Sequence, residues 1–386
     1  MHLRSVLRIS LCVFFATIAT PLVRAGESAK LDPNLPYQAK KSNPVTYDVD
    51  FSAVVTPPYH AEVLKVWLPM PQTDSVQEVT EGELSSFPQK VKPQVGIEKV
   101  YGNKFAYFEF KHPEGAQMVR HKFKIKVWEL HWDVDPAKVV SVKKWPASFA
   151  PFLRDDEKQS VIVNDDIRKF TLKLVPTTKG QSNDLQSVFT WVNDNMKYDH
   201  KTASLSASSV NALEKTGGHC SDYHGLCSAM GRALGYPTRM TYGINPFPKN
   251  SPSHCKMEAF LPPYGWVAFD VAETQQFIKK INANKELAPE LKAKLVQAAK
   301  DRLFKGFRDN TWFLQTRGSD HDLVPPATKK AAVVRTIYAE ADGVAFDEPD
   351  PANKNQRAFS WMTMHDYRAD RVVTYPFTDW KSLQRP

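Results

Sequence analysis

The sequence predicts an α+β protein in which an all-β region precedes a mixed region of helices and strands. Three observations carry this expectation. Across residues 118–130, Val119, Phe123, Ile125 and Val127 alternate with Arg120, Lys122, Lys124 and Lys126, the period of two of a half-buried strand. Across 181–196, Leu185, Val188, Phe189 and Val192 recur at helical spacing. Gly217-Gly218 introduces a second helix over about 220–234, which stops at Gly235 with Pro237 following.

The other elements follow in chain order. Residues 1–25 read as a secretory signal: Arg4 and Arg8, an apolar run over 9–23 broken by Pro21, and Val23-Arg24-Ala25 before a cut. That run is shorter than the ~20 residues a membrane span needs. Its removal takes away Arg4, Arg8 and Arg24 and no acidic residue, lowering the net charge from +9 to +6. A polar, proline-dotted leader follows over 26–44. Residues 45–135 then read as a β-sandwich, with strands at 45–55, 61–68, 97–101, 104–111 and 118–130, and Gly102-Asn103 as a hairpin turn. Residues 136–180 read as a connection. Past the two helices come strands at 238–244, 254–261 and 266–271, a helix over 289–304 opened by Pro289, and further strands within 311–340. Residues 340–350 read as an acidic surface loop. The aromatic residues of 343–386, Trp361, Tyr367, Tyr375, Phe377 and Trp380 among them, favour a C-terminal extension packed on the body.

Composition excludes several classes. With 42% hydrophobic and 24% charged residues the chain is neither disordered nor fibrous. The excess of 51 Lys and Arg over 42 Asp and Glu is scattered in single lysines, and no nucleic-acid motif accompanies it. Once the signal is removed no transmembrane segment is expected. Three cysteines then remain, Cys220, Cys227 and Cys255. An exported chain with an odd count keeps a thiol free or pairs it elsewhere, the first pointer to chemistry.

That chemistry centres on residues 217–270. Cys220 begins a helix, whose partial positive charge and unpaired N–H groups favour thiolate over thiol and place the Cys220 N–H where an oxyanion forms. His254 and Asp270 lie on strands joined through Leu261-Pro262-Pro263-Tyr264-Gly265. If these pair as a hairpin whose opposed numbers sum to 524 or 526, His254 lies opposite Asp270 or one diagonal away, on one face. With the Cys220 helix packed on that face, Cys220 is the nucleophile, His254 the proton carrier and Asp270 the group that steadies the imidazole.

A metal site is the competing reading, since Cys220, His224, His254 and Cys255 form a four-ligand set. Adjacent His254 and Cys255 point to opposite faces of a strand, however, and zinc leaves Asp270 without a role. No metal and no cofactor is therefore expected. Cys227, two turns beyond Cys220, reads as packing. A Cys227–Cys255 disulfide is disfavoured because Cys255 should point away from His254.

The stretches GGHCSDYHGLCSAMGRALGYPTRMTYG and SHCKMEAFLPPYGWVAFDVAE resemble the transglutaminase-like superfamily. Trp191-Val192 and 195–198 resemble the segment before that family's nucleophile, and VWLPMPQT and VYGNKFAYFEF resemble the β-rich N-terminal domain of several bacterial members. The resemblance, which covers roughly residues 180–275, implies a papain-like core within a cysteine domain over 181–342 and a Cys220-His254-Asp270 triad. One departure is Lys256, standing where the family often has an aromatic residue. Tyr198 is the candidate second oxyanion donor. The function implied is an exported, periplasmic or secreted cysteine acyltransferase or peptidase acting on peptide or protein substrates. The alternative is an inactive binding or scaffold protein of the cell envelope.

Overall fold

The computed structural model describes residues 30–246, 253–347 and 361–384. The expected signal over 1–25, the start of the leader and part of the proline-rich loop before His254 lie outside them.

Alternation builds the N-terminal half from six strands: β1 (Lys40–Val55), β2 (Val63–Met70), β3 (Gln77–Phe87), β4 (Gln94–Ile97), β5 (Lys104–Lys111) and β6 (Gln117–His131). Val119, Phe123, Ile125 and Val127 are all buried, whereas Lys122 and Lys124 are exposed. Helices and short strands then alternate: α1 (Ala150–Leu153), α2 (Asp165–Leu174), α3 (Gln181–Asn195), β7 (Lys197–Tyr198), α4 (Ser209–Lys215), β8 (Gly217–Gly218) and α5 (Cys220–Ala233). Next come β9 (Thr238–Ile244), β10 (Ser253–Leu261), β11 (Gly265–Phe269), α6 (Val271–Ala283), α7 (Pro289–Lys305), β12 (Phe307–Arg308) and β13 (Phe313–Arg317). The described chain closes with β14 (Tyr338–Ala341), β15 (Val344–Ala345) and β16 (Trp361–Ala369).

Two antiparallel five-stranded sheets face each other in the N-terminal half. One runs β12-β6-β1-β16 with β3 also on β6, and the other runs β15-β14-β2-β5-β4. Their shared core holds Tyr47, Phe51, Phe108, Phe110 and Phe123, joined by Ala339 and Trp361 from the far end of the sequence. The second core lies between α2, α3, α5 and a third antiparallel sheet ordered β11-β10-β9-β13.

Several expectations are corrected. The hairpin turn expected at Gly102-Asn103 is longer, because β4 ends at Ile97, which pairs with Lys104. β3 and α6 were not foreseen, nor were the helices inside 136–180. The strand expected to reach residue 271 stops at Phe269, where Asp270 caps α6 by accepting from the Glu273 N–H. The expected surface loop starting at 340 begins instead within β14, where Glu340 is fully buried and accepts from Thr328.

Candidate active site

α5 begins where the sequence forces a sharp turn. Gly218 has φ +134°, and a Cβ there would lie 2.5 Å from Asp222 Cβ, so only glycine fits. β8, which contains it, pairs in parallel with β7 and sets Tyr198 beside Gly218. His219 then caps the helix: its ring accepts from the Ser221 N–H, and Asp222 reaches back to the His219 N–H at 3.1 Å. Cys220 is the first helical residue, 6% exposed.

β10 and β11 supply the partners. Met257 pairs with Phe269 and Leu261 with Gly265, so opposed numbers sum to 526, one of the two expected registers. The same register, carried one step past the strand end, places Asp270 across from Lys256 and one diagonal from His254. His254 Nε2 lies 2.7 Å from Asp270 Oδ2, and His254 shares a side-chain hydrogen bond with Cys220, for which Nδ1 remains. The structure thus brings Cys220, His254 and Asp270 together, all buried.

The route by which Cys220 arrives differs from the expected one. α5 packs on the Cys255, Met257 and Ala259 face of β10, the face opposite His254. His254 is the second residue of its strand, and at that strand end a helix N-terminus is reached from both faces. Cys255 does lie on the face opposite His254, as alternation requires, yet its thiol still reaches Cys220 because α5 covers that face. Its thiol hydrogen-bonds Cys220 and lies 3.7 Å from His224 Nδ1. All three described cysteines are free. Cys227 is buried among Tyr223, Leu226 and Met230, and burial pushes its thiol up.

Electrostatics separates the two neighbouring thiols. The hydrogen bond from Cys255 and the charge of His254, working against burial, hold Cys220 well below the usual thiol range. Burial and the adjacent Cys220 push Cys255 the other way, so it stays a protonated donor. Burial opposes a charged His254, but Asp270 and Cys220 outweigh it and raise its pKa to about 9. Burial also works against the Asp270 carboxylate, yet His254 and Lys256 hold it well below its ordinary range. His224 differs: burial lowers its pKa to about 4, and its Nε2 accepts from the Val271 N–H at 3.0 Å, which makes it a neutral imidazole. Burial and the charge at Cys220 push Tyr198 well above the usual phenol range, leaving it an O–H donor.

Lys256, which stands where the family often has an aromatic residue, is itself buried beside the site. Its ammonium is buried against Asp270 and against Asp309, a residue that no motif or spacing singles out. Alternation along β10 did place Lys256 on the face of His254. Among the described residues, no group of three or more His, Cys, Asp or Glu is arranged to hold a metal ion.

The sequence and the fold can be compared with known proteins. Residues 168–271 match the core of the transglutaminase-like superfamily, so the chain carries a transglutaminase-like domain there. Among solved structures, a candidate cysteine protease from Cytophaga hutchinsonii is similar at TM-score 0.60 and 14% identity, covering 89% of this chain and 98% of its own. The periplasmic domain of TgpA from Pseudomonas aeruginosa also aligns, with TM-score 0.33 and 14% identity over 62% of this chain and 91% of its own. No curated protein matches the sequence. Among the described residues no helix is long and apolar enough to cross a membrane.

Proposed function

We propose that this chain is an exported cysteine-dependent acyl-transfer enzyme, periplasmic or secreted, that acts on peptide or protein amides through a thioester on Cys220. The observation that carries the reading is the hydrogen-bonded series Cys220, His254, Asp270 at a helix N-terminus, the carboxylate 2.7 Å from the imidazole. Cys220 thiolate attacks the amide carbon, and the carbonyl oxygen takes up negative charge beside the Cys220 N–H and the Tyr198 hydroxyl. As the tetrahedral adduct collapses, imidazolium His254 protonates the leaving amine and the thioester remains. Neutral His254 then removes a proton from the acceptor, water or an amine, whose attack releases Cys220. Asp270 holds the imidazole tautomer throughout. Export rests on the basic start and apolar run of 1–25.

The test is covalent trapping. Incubation with glutamine-containing and cell-wall peptides, read by intact mass, is expected to give an adduct equal to the acyl fragment, absent in Cys220→Ala. Full activity in Cys220→Ala would overturn the assignment. A chain that forms no adduct and whose Cys220 alkylates no faster than Cys227 at pH 6 would instead be a binding module.

A further inference from the structure

Lys256 is a buried cation that the proposed chemistry does not use. Its Nζ donates to Asp270 Oδ2 at 2.6 Å and to Asp309 Oδ2 at 3.1 Å, and the three side chains are 1%, 1% and 0% exposed. A buried ammonium is tolerated only when compensated, and here two carboxylates compensate it. Asp270 Oδ2 consequently serves two donors, Lys256 and the His254 Nε2–H.

Asp309 is in turn held by its own loop. Its Oδ1 accepts from the Thr311 N–H at 3.1 Å and from the Thr311 hydroxyl, and Trp312 Nε1 donates to the His254 carbonyl at 3.0 Å. The first sheet grips this loop from outside. Tyr47 OH donates to Asn310 O, Asn310 Nδ2 donates to Asn43 O, and β12, just before Asp309, pairs with β6. A continuous path therefore joins β1 to the carboxylate beside the imidazole.

We propose that Lys256, seated on Asp309, is a positioning residue for the Asp270–His254 pair, fixing Asp270 Oδ2 in place and dividing its charge between an ammonium and an imidazole. This rests on the triad reading of Cys220, His254 and Asp270. The other groups around the pair are Cys220 and His224 on α5, Cys255 on β10, Glu273 on α6, Arg302 on α7, Tyr198 on β7 and Tyr375 near the C-terminus. Removing the Lys256 cation strengthens Asp270 as a partner of His254; removing the Asp309 anion does the reverse. A merely structural role predicts no such opposition of sign.

The experiment follows iodoacetamide alkylation of Cys220 against pH, resolved by peptide mapping, in the full chain and in Lys256→Met, Asp309→Asn and the double variant. The basic inflection of the unsubstituted chain is expected near pH 9, where His254 loses its proton. It should rise by about one pH unit in Lys256→Met and fall by about one in Asp309→Asn. In the double variant, where charge balance returns, it should lie within about 0.3 of the starting value. Circular dichroism checks folding. Should Lys256→Met not fold, the fall in Asp309→Asn and its cancellation in the double variant decide. Unmoved inflections, or shifts of one sign in both single variants, overturn the proposal while the triad reading stands. A parent chain whose Cys220 is no more reactive than Cys227 at pH 6 overturns both.

Discussion

The sandwich and the helix-bearing half bury their interiors by different means. Between β1, β2, β5 and β6 the packed layer is nearly all aliphatic and aromatic, and charges stay on the outer faces, as with Lys124 beside Asp48. The second half buries Cys220, His254, Lys256, Asp270 and Asp309 within one hydrogen-bonded group, and elsewhere seats Arg232 on Glu157 with both side chains fully buried. Apolar packing tolerates trimming in proportion to the volume lost. A buried ionic group does not, because removing one member leaves its partner charged and unsolvated. The two halves should therefore answer substitution on different scales.

The largest effect belongs to Cys220→Ala, which should lower acyl transfer by about 10⁴-fold or more while far-ultraviolet circular dichroism stays unchanged. Next comes Arg232→Met, far from the thiol. It leaves buried Glu157 with one cation, Arg154 Nε at 3.2 Å, and the Ser319 hydroxyl, and should cost up to about 3 kcal/mol in denaturant unfolding; a loss no larger than that of a surface charge would erase the contrast between the halves.

The third expectation concerns pH. A folded His254 with a pKa raised to about 9 contributes stability present below its unfolded value of ~6.5 and lost as pH rises through about 9. A depressed Cys220 contributes stability that grows up to its unfolded value of ~8.5. Between roughly pH 6.5 and 8.5 the two slopes oppose and cancel. Cys220→Ala removes one of them, so its stability should fall by up to about 1.4 kcal/mol per pH unit through the lower part of that window. A variant as flat as the parent would break the thiolate–imidazolium assignment. In the sandwich, Ile125→Val should cost only about 1 kcal/mol. The smallest change is Lys124→Ala, whose exposed pair with Asp48 should yield no more than about 0.5 kcal/mol by thermal melting.

The sequence made different parts of this legible for different reasons. Alternation identified β6 and its inward residues because one face is apolar and the other cationic. The hairpin register was open to arithmetic because Pro262 and Pro263 locate the turn, which is why the diagonal placement of His254 and Asp270 was among the two expected. The start of α6 was missed although Asp270 and Glu273 form a capping pair, since the apolar run through Val271 reads as continued strand. Asp309 left no trace: it meets Lys256 only through folding, and no period or spacing connects them. The path of α5 over the Cys255 face was equally hidden, because period two assigns faces without saying which one a helix covers.

One consequence follows from where the sandwich finds its last strands. β1 opens the described chain, yet its outer edge pairs with β16, Tyr47 against Ala369, and β2 pairs with β14. While the polypeptide emerges from the ribosome, β1 and β2 each wait with an open edge until β16 and β14 have been synthesised. Such long-range closure is slow and leaves sticky edges uncovered meanwhile. A chain cut short before residue 361 would keep β6 on one edge of β1 and leave the other edge open to intermolecular pairing.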